Sequence, residues 1–342
     1  MSIVASRGRG IMSKLNGGAD LDRDDSKEIA KLIEVQVSSI EECGRDIRAY
    51  SLAPLNRLPL PAASAGSHID LHLPNGLVRQ YSLILTDRDT SSYRVAVKRD
   101  AMSRGGSIYI HRDLHVGANL KISSPRNHFL LEENASHSVL IAGGIGITPI
   151  FSMVQRLLSL KKSWELYYAV RTRAELALMS EMPISPHVHL HLDDESDGKY
   201  LDLKRIIGQA PLNTHFYCCG PSPLMTGFEG ASVQIPSEQK HVEYFSPKEG
   251  PSLDGGFLVR LARSGRMVAV SAGRSILDSL EEAGINVEHS CTEGVCGTCE
   301  VGVLAGVPDH RDSVLSPAER AANNTIIVCC SGSKSEELVL DL

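Results

Sequence analysis

No stretch of this chain approaches the roughly 18 consecutive apolar residues that a membrane-spanning helix needs. The longest apolar run, Ser138 to Leu158, is broken by glycines and a proline. The N-terminus lacks the apolar core of a signal peptide, which predicts a cytoplasmic protein. Basic excess is missing as well: the net charge is −6, and nucleic-acid binding, which needs a basic patch, is not expected. Aromatic residues are few, and no internal repeat is present. What remains is an ordinary globular composition over 342 residues, enough for two or three domains with buried cores.

The acid is unevenly spread. From Gly256 to Leu342 there are 7 Lys+Arg against 12 Asp+Glu, whereas the other 255 residues hold 28 against 29. An acidic C-terminal quarter can steer towards a basic partner. Eight cysteines in a chain expected to be cytoplasmic read better as ligands or catalytic groups than as disulfides.

Residues 1–29 show no periodicity and are rich in Gly, Ser, Asp and Arg, which predicts a flexible extension; Met12 is an alternative start. Alternating runs at Leu32–Val37, Ser67–Leu73 and Tyr93–Lys98, separated by turn clusters such as Pro74-Asn75-Gly76, predict a small antiparallel barrel over 30–133. Over 134–247 the rhythm changes to strand and helix in alternation, from Val139–Ala142 to His215–Cys219, which predicts a parallel sheet with crossover helices. Residues 248–255 have linker composition. Over 256–342, a hairpin at Arg263–Arg266 precedes a helix. Ser275 and Asp278 cap that helix and Gly284 closes it.

The strongest signal is Cys291-Thr-Glu-Gly-Val-Cys296-Gly-Thr-Cys299, followed after a gap by Cys329. The spacing C-x4-C-x2-C…C is that of a plant-type 2Fe-2S site. Gly294 and Gly297 let the backbone pass close to an inorganic core. A structural zinc site is the rival, though zinc usually takes two short cysteine knuckles rather than three ligands from one loop. Together with the stretches Gly306–Leu315 and Val339–Leu342, this segment resembles the C-terminal ferredoxin domain of the phthalate dioxygenase reductase family. In that family FMN, NADH and a ferredoxin domain of β-grasp type work together.

The resemblance extends to two earlier motifs. Arg79-Gln-Tyr81-Ser82-Leu83 resembles the flavin signature of the ferredoxin reductases, in which the cation meets the flavin phosphate, the ring packs on the isoalloxazine and a hydroxyl bonds flavin N5. By the same resemblance Val97, Lys98, Gly105, Gly106 and Ser107 contact FMN, with the glycines and serine opening a helix as a phosphate cradle. Phe245 matches a position near the flavin, against a plain core aromatic as the other reading. No adenine-binding insert is evident, so FMN is expected over FAD. Gly143-Gly144-Ile145-Gly146-Ile147-Thr148 follows a strand and opens a helix, the context in which a glycine loop binds a pyrophosphate. Cys219-Gly220-Pro221 matches the family's nicotinamide-side motif. Arg171 is implied near the ribose or pyrophosphate, with NADH expected over NADPH, though Arg173 keeps the phosphorylated form open. His187, His189 and His191 share one strand face, either as a polar face or as metal ligands.

The resemblance thus implies three domains: an antiparallel β-barrel flavin domain, an α/β parallel-sheet nicotinamide domain and an α+β plant-type ferredoxin domain. It implies a monomeric, NADH-dependent reductase that serves a Rieske-type oxygenase. Ser82 and Cys219 stand beside the reacting atoms, and Cys291, Cys296, Cys299 and Cys329 ligate the cluster. The rivals are a reductase for a haem or diiron monooxygenase and a redox-sensing module. Cys330, next to the fourth ligand, is expected to point away from it on a strand.

Overall fold

The structure is a computed structural model that describes residues 32–86, 90–102 and 105–342; the N-terminal extension lies outside the described residues. Six antiparallel strands come first: β1 Ile33–Gly44, β2 Ile47–Pro54, β3 His68–His72, β4 Val78–Ser82, β5 Tyr93–Lys98 and β6 Asn119–Ile122. Helix α1, Gly106–Asp113, lies between β5 and β6. The sheet order is β4-β3-β6-β1-β2-β5, and a bridge between Leu83 and Val95 joins its two edges. β1 carries two register shifts against β2, which is how so long a strand bends.

Five parallel strands follow: β7 His137–Gly143, β8 Trp164–Val170, β9 Val188–Leu192, β10 Thr214–Cys219 and β11 Lys240–Glu243, in the order β11-β10-β7-β8-β9. Helices α2 Ile147–Ser159, α3 Leu203–Gln209 and α4 Ser222–Ala231 cross over between them. The central strand β7 is buried from Ser138 to Gly143, as a strand with covered faces must be, and its run Val139–Ala142 is correspondingly apolar. No helix among the described residues is long and apolar enough to cross a membrane.

The last sheet is mixed: β12 Phe257–Leu261, β13 Met267–Val270, β14 Glu300–Ala305, β16 Thr325–Ile327 and β18 Glu337–Leu340, ordered β13-β12-β18-β14-β16. The pair β15 Pro308–Asp309 and β17 Gly332–Ser333 stands apart. β12 alternates buried and exposed residues, with Phe257, Val259 and Leu261 in the same core as Ile276, Leu277 and Leu280 of helix α5, Ile276–Glu282. The expected capping box is present: the Ser275 hydroxyl accepts from Asp278 N, and the Asp278 carboxylate accepts from Ser275 N. A second box, Ser316 with Glu319, opens α6, Pro317–Ala322.

The residues of linker composition are held down at several points. Ser252 N donates to Cys330 O at 2.7 Å, Lys248 N to Ser313 Oγ at 3.1 Å, and Glu249 pairs with Arg311 at 3.1 Å. Lys248 Nζ reaches Glu229 on α4 at 2.6 Å. The hydrogen bonds and ion pairs that hold this segment come from residues outside it.

Candidate functional site

Two loops meet at the C-terminal ends of β7 and β10, which pair with Ala142 opposite Cys219. The ends of parallel strands are where an open α/β sheet binds ligands. A Cβ on Gly143 would sit 2.6 Å from Pro221 Cδ, and one on Gly220 would sit 3.0 Å from Gly143 Cα. A Cβ on Gly146 would overlap the Cys219 carbonyl. These three glycines are therefore required by the approach of one loop to the other. Only Gly144, at φ +53° with open space around it, answers to the tight turn alone. Thr148 Oγ1 donates to Ile145 O at 3.0 Å, and Tyr168 OH donates to Gly144 O at 3.1 Å, so the loop is fixed from both sides. Residues 144–146 contact β5 of the first sheet.

Cys219 is fully buried, and its Sγ lies 3.9 Å from Glu243 Oε2 on the neighbouring strand β11. Burial pushes the Glu243 carboxyl up to about 8 and pushes the Cys219 thiol well above its ordinary range. Sequence reading missed Glu243; its only signal was its place two residues before Phe245. Phe245 is 41% exposed, which does not suit the core-aromatic reading. Arg171 is exposed at the end of β8, and Arg173 pairs with Glu195 at 2.9 Å.

Arg79 and Tyr81 share one face of β4, and Ser82 is buried at its end. Arg79 crosses the opening of α1: a Cβ on Gly106 would lie 2.7 Å from its Nε. Gly105, at φ +91°, turns the chain into that helix, and Ser107 Oγ accepts from Asp100 N at 3.1 Å to close the loop. A guanidinium and a helix N-terminus thus meet in one place. Burial raises the Tyr81 phenol above its ordinary range. The Val97 carbonyl is held by His111 Nε2 at 2.8 Å, and Lys98 Nζ pairs with Glu175 at 3.0 Å, across to the segment after β8.

The cysteine loop runs from α5 to β14. Cys296, Cys299 and Cys329 are buried and Cys291 is half-buried. The neighbouring thiols of Cys296 and Cys329 lower the Cys291 thiol from its ordinary range, and Cys329 lowers that of Cys299. Glu293 N donates to Cys291 Sγ at 3.3 Å. Four cysteine thiols carried on one loop and the following turn, with the Glu293 N–H turned towards Cys291, form a donor set suited to iron. Gly294 and Gly297 both lie at φ +72°. A Cβ on Gly294 would overlap Cys330 Sγ, and one on Gly297 would lie 2.8 Å from His128 Nε2 of the first sheet's segment.

Cys330 departs from expectation. β16 ends at Ile327, and Val328 to Cys330 form a turn in which Cys330 N and Ser331 N both approach Ile327 O. Strand alternation does not separate Cys329 from Cys330 here, and the Cys330 thiol forms the floor under Gly294. Of the three alternating histidines, His189 stacks on Tyr167, His187 packs edge-on to Trp164 and His191 bonds Lys199 O.

The sites adjoin. Gln80, between Arg79 and Tyr81, donates to Ser290 Oγ at 2.6 Å, one residue from Cys291.

Residues 259–333 match the 2Fe-2S iron-sulfur cluster binding domain, and residues 140–229 match the oxidoreductase NAD-binding domain. The chain is 48% identical over 311 residues to phenoxybenzoate dioxygenase subunit beta of Ectopseudomonas oleovorans, covering 91% of this chain and 97% of that one. It is 46% identical to tetrachlorobenzoquinone reductase of Sphingobium chlorophenolicum, covering 91% and 98%. Among solved structures it matches phthalate dioxygenase reductase, described as a modular structure for electron transfer from pyridine nucleotides to [2Fe-2S]. The TM-score is 0.67 at 37% identity, covering 91% of this chain and 98% of that one. The chain belongs to the phthalate dioxygenase reductase family. As a member it is an electron-transfer oxidoreductase and a flavoprotein, with an NAD-binding domain and a 2Fe-2S ferredoxin domain.

Proposed function

We propose that this reductase takes a hydride from NADH onto FMN and delivers single electrons through its 2Fe-2S cluster to a separate Rieske-type oxygenase, acting as a cytoplasmic monomer. One observation carries the reading: the strand bearing Arg79, Tyr81 and Ser82 touches the cysteine loop through Gln80 and Ser290, while residues 144–146 contact the same sheet at β5. These contacts support a flavin site between the other two. When bound, the flavin accepts two electrons as hydride and releases them singly, a conversion that neither a nicotinamide nor a 2Fe-2S cluster performs alone.

The domains of this reading are a flavin barrel over 30–133, a nicotinamide domain over 134–247, a linker over 248–255 and a β-grasp ferredoxin domain over 256–342. The Leu83–Val95 bridge supports closure of the first sheet into a barrel. Arg79 and the opening of α1 at Gly105, Gly106 and Ser107 suit a terminal phosphate, which favours FMN over FAD. Tyr81 would supply a ring face and Phe245 a second, and the Ser82 hydroxyl would bond the flavin N5. Val97 and Lys98 border the same space. Gly143, Gly144, Gly146 and Thr148 receive the pyrophosphate with Arg171, and Cys219, Gly220 and Pro221 line the nicotinamide. The engagement of Arg173 by Glu195 favours NADH over NADPH. Cys219, fully buried, would help exclude water from the bound nicotinamide ring. Cys291, Cys296, Cys299 and Cys329 hold the cluster.

Purified protein should contain FMN at unit stoichiometry and iron and sulfide in equal amounts. Flavin chromatography after acid extraction, with metal analysis, tests this: FAD, or zinc in place of iron, would overturn the cofactor assignment. A second reading is favoured by the likeness to the quinone reductase, namely a small quinone as acceptor. Steady NADH oxidation with a quinone and no second protein would support it.

A further inference from the structure

Ile47, Ala49 and Ala96 of the first sheet belong to the same apolar core as helix α2 and strand β8. The ferredoxin segment keeps a core of its own. Its cysteine loop meets the first sheet instead through a polar contact made by Gln80. Gln80 Nε2 donates to Ser290 Oγ at 2.6 Å and to Asp70 Oδ1 at 3.0 Å. A carboxylate only accepts, so Asp70 fixes which end of the amide faces Ser290. Asp70 is itself buried, and the same oxygen takes Arg126 Nη2 at 2.6 Å. The amide is therefore held in one orientation before the loop arrives. Along β4, Arg79 and Tyr81 point to one face and Gln80 to the other. Nearby, His128 fills the space beside Gly297, where no larger residue would fit.

We propose that Gln80 is the positioning residue for electron hand-over from flavin to cluster. Its amide seats Ser290, and with it Cys291, against the flavin strand, and leaves a route from strand to loop that crosses one hydrogen bond. The assignment rests on the flavin and cluster sites proposed above. Electrons cross singly, two for each hydride, with the cluster emptied to its acceptor between them and the accompanying proton released to water.

The test uses full-length holoprotein carrying Gln80→Leu, Ser290→Ala or both. Each single variant should lower amide-exchange protection of residues 289–298 about tenfold, the effect of one lost hydrogen bond. Cluster reduction by flavin, followed by stopped flow, should slow in both. Flavin reduction by NADH should be unchanged in Ser290→Ala. The double variant should be no worse than the worse single one, because both remove the same bond. Wild-type protection and transfer in a parent protein that carries flavin and cluster, or purely additive effects, would overturn the Gln80 assignment alone. A parent protein without flavin or iron would instead overturn the functional reading and this one with it.

Discussion

The thiol of Cys219 and the carboxyl of Glu243 face each other from the ends of adjacent parallel strands, Sγ to Oε2 3.9 Å. Burial disfavours the ionised form of each and raises both groups above their ordinary ranges.

That pair sets a pH dependence of stability. In the unfolded chain Glu243 loses its proton near 4.5, and in the folded one near 8. Folding therefore takes up a proton between those values. The stabilisation is fully present below pH 4.5 and is lost as pH rises through 8, with a slope of at most about 1.4 kcal/mol per pH unit. Glu243→Gln should flatten this slope and be the more stable protein above pH 8. Urea midpoints from pH 5 to 9 measure it; parallel curves for the two proteins would refute the burial argument.

Cys329 and Cys330 should behave differently despite sharing one turn. Cys329→Ala should lose iron and visible absorption while NADH still reduces the flavin. Cys330→Ala should retain iron, since it only empties the floor under Gly294. Gly294→Ala should lose iron, because a methyl there overlaps Cys330 Sγ at a φ of +72°. Iron content of the three variants decides the matter.

The acidic C-terminal quarter should make partner association salt-dependent. Association with the oxygenase should slow as ionic strength rises, since exposed charge is screened beyond about 8 Å at 0.15 M salt. Flavin reduction by NADH, an event inside the protein's own site, should change much less. An association rate flat in salt would remove the electrostatic argument.

Two carboxylates test the weight of burial. Asp70, with a side chain only 4% exposed, accepts from Arg126 and Gln80. Asp70→Ala should destabilise the protein by about 3–5 kcal/mol, because it leaves a cation and an amide facing a buried gap. Glu195, paired with Arg173 in the open, should cost no more than about 1 kcal/mol when replaced by alanine. Urea denaturation compares them.

Signals carried by neighbouring residues were legible in the sequence. The Ser275–Asp278 cap, the glycine loop opening α2, the apolar strand β7 and the spacing of Cys291, Cys296 and Cys299 each depend on residues a few places apart. Cooperation of the three motifs was legible through their chemistry. What the tertiary structure alone decided lies between segments distant in the chain. Gly143, Gly146 and Gly220 are small because two loops from different strands touch. Glu243 holds its proton because β11 lays it beside Cys219. Gln80 matters because Ser290, 210 residues away, comes to meet it. Such contacts depend on strand order and on how the sheets pack, and no local pattern encodes them, since the same residue types would read as ordinary strand or turn with any other partner.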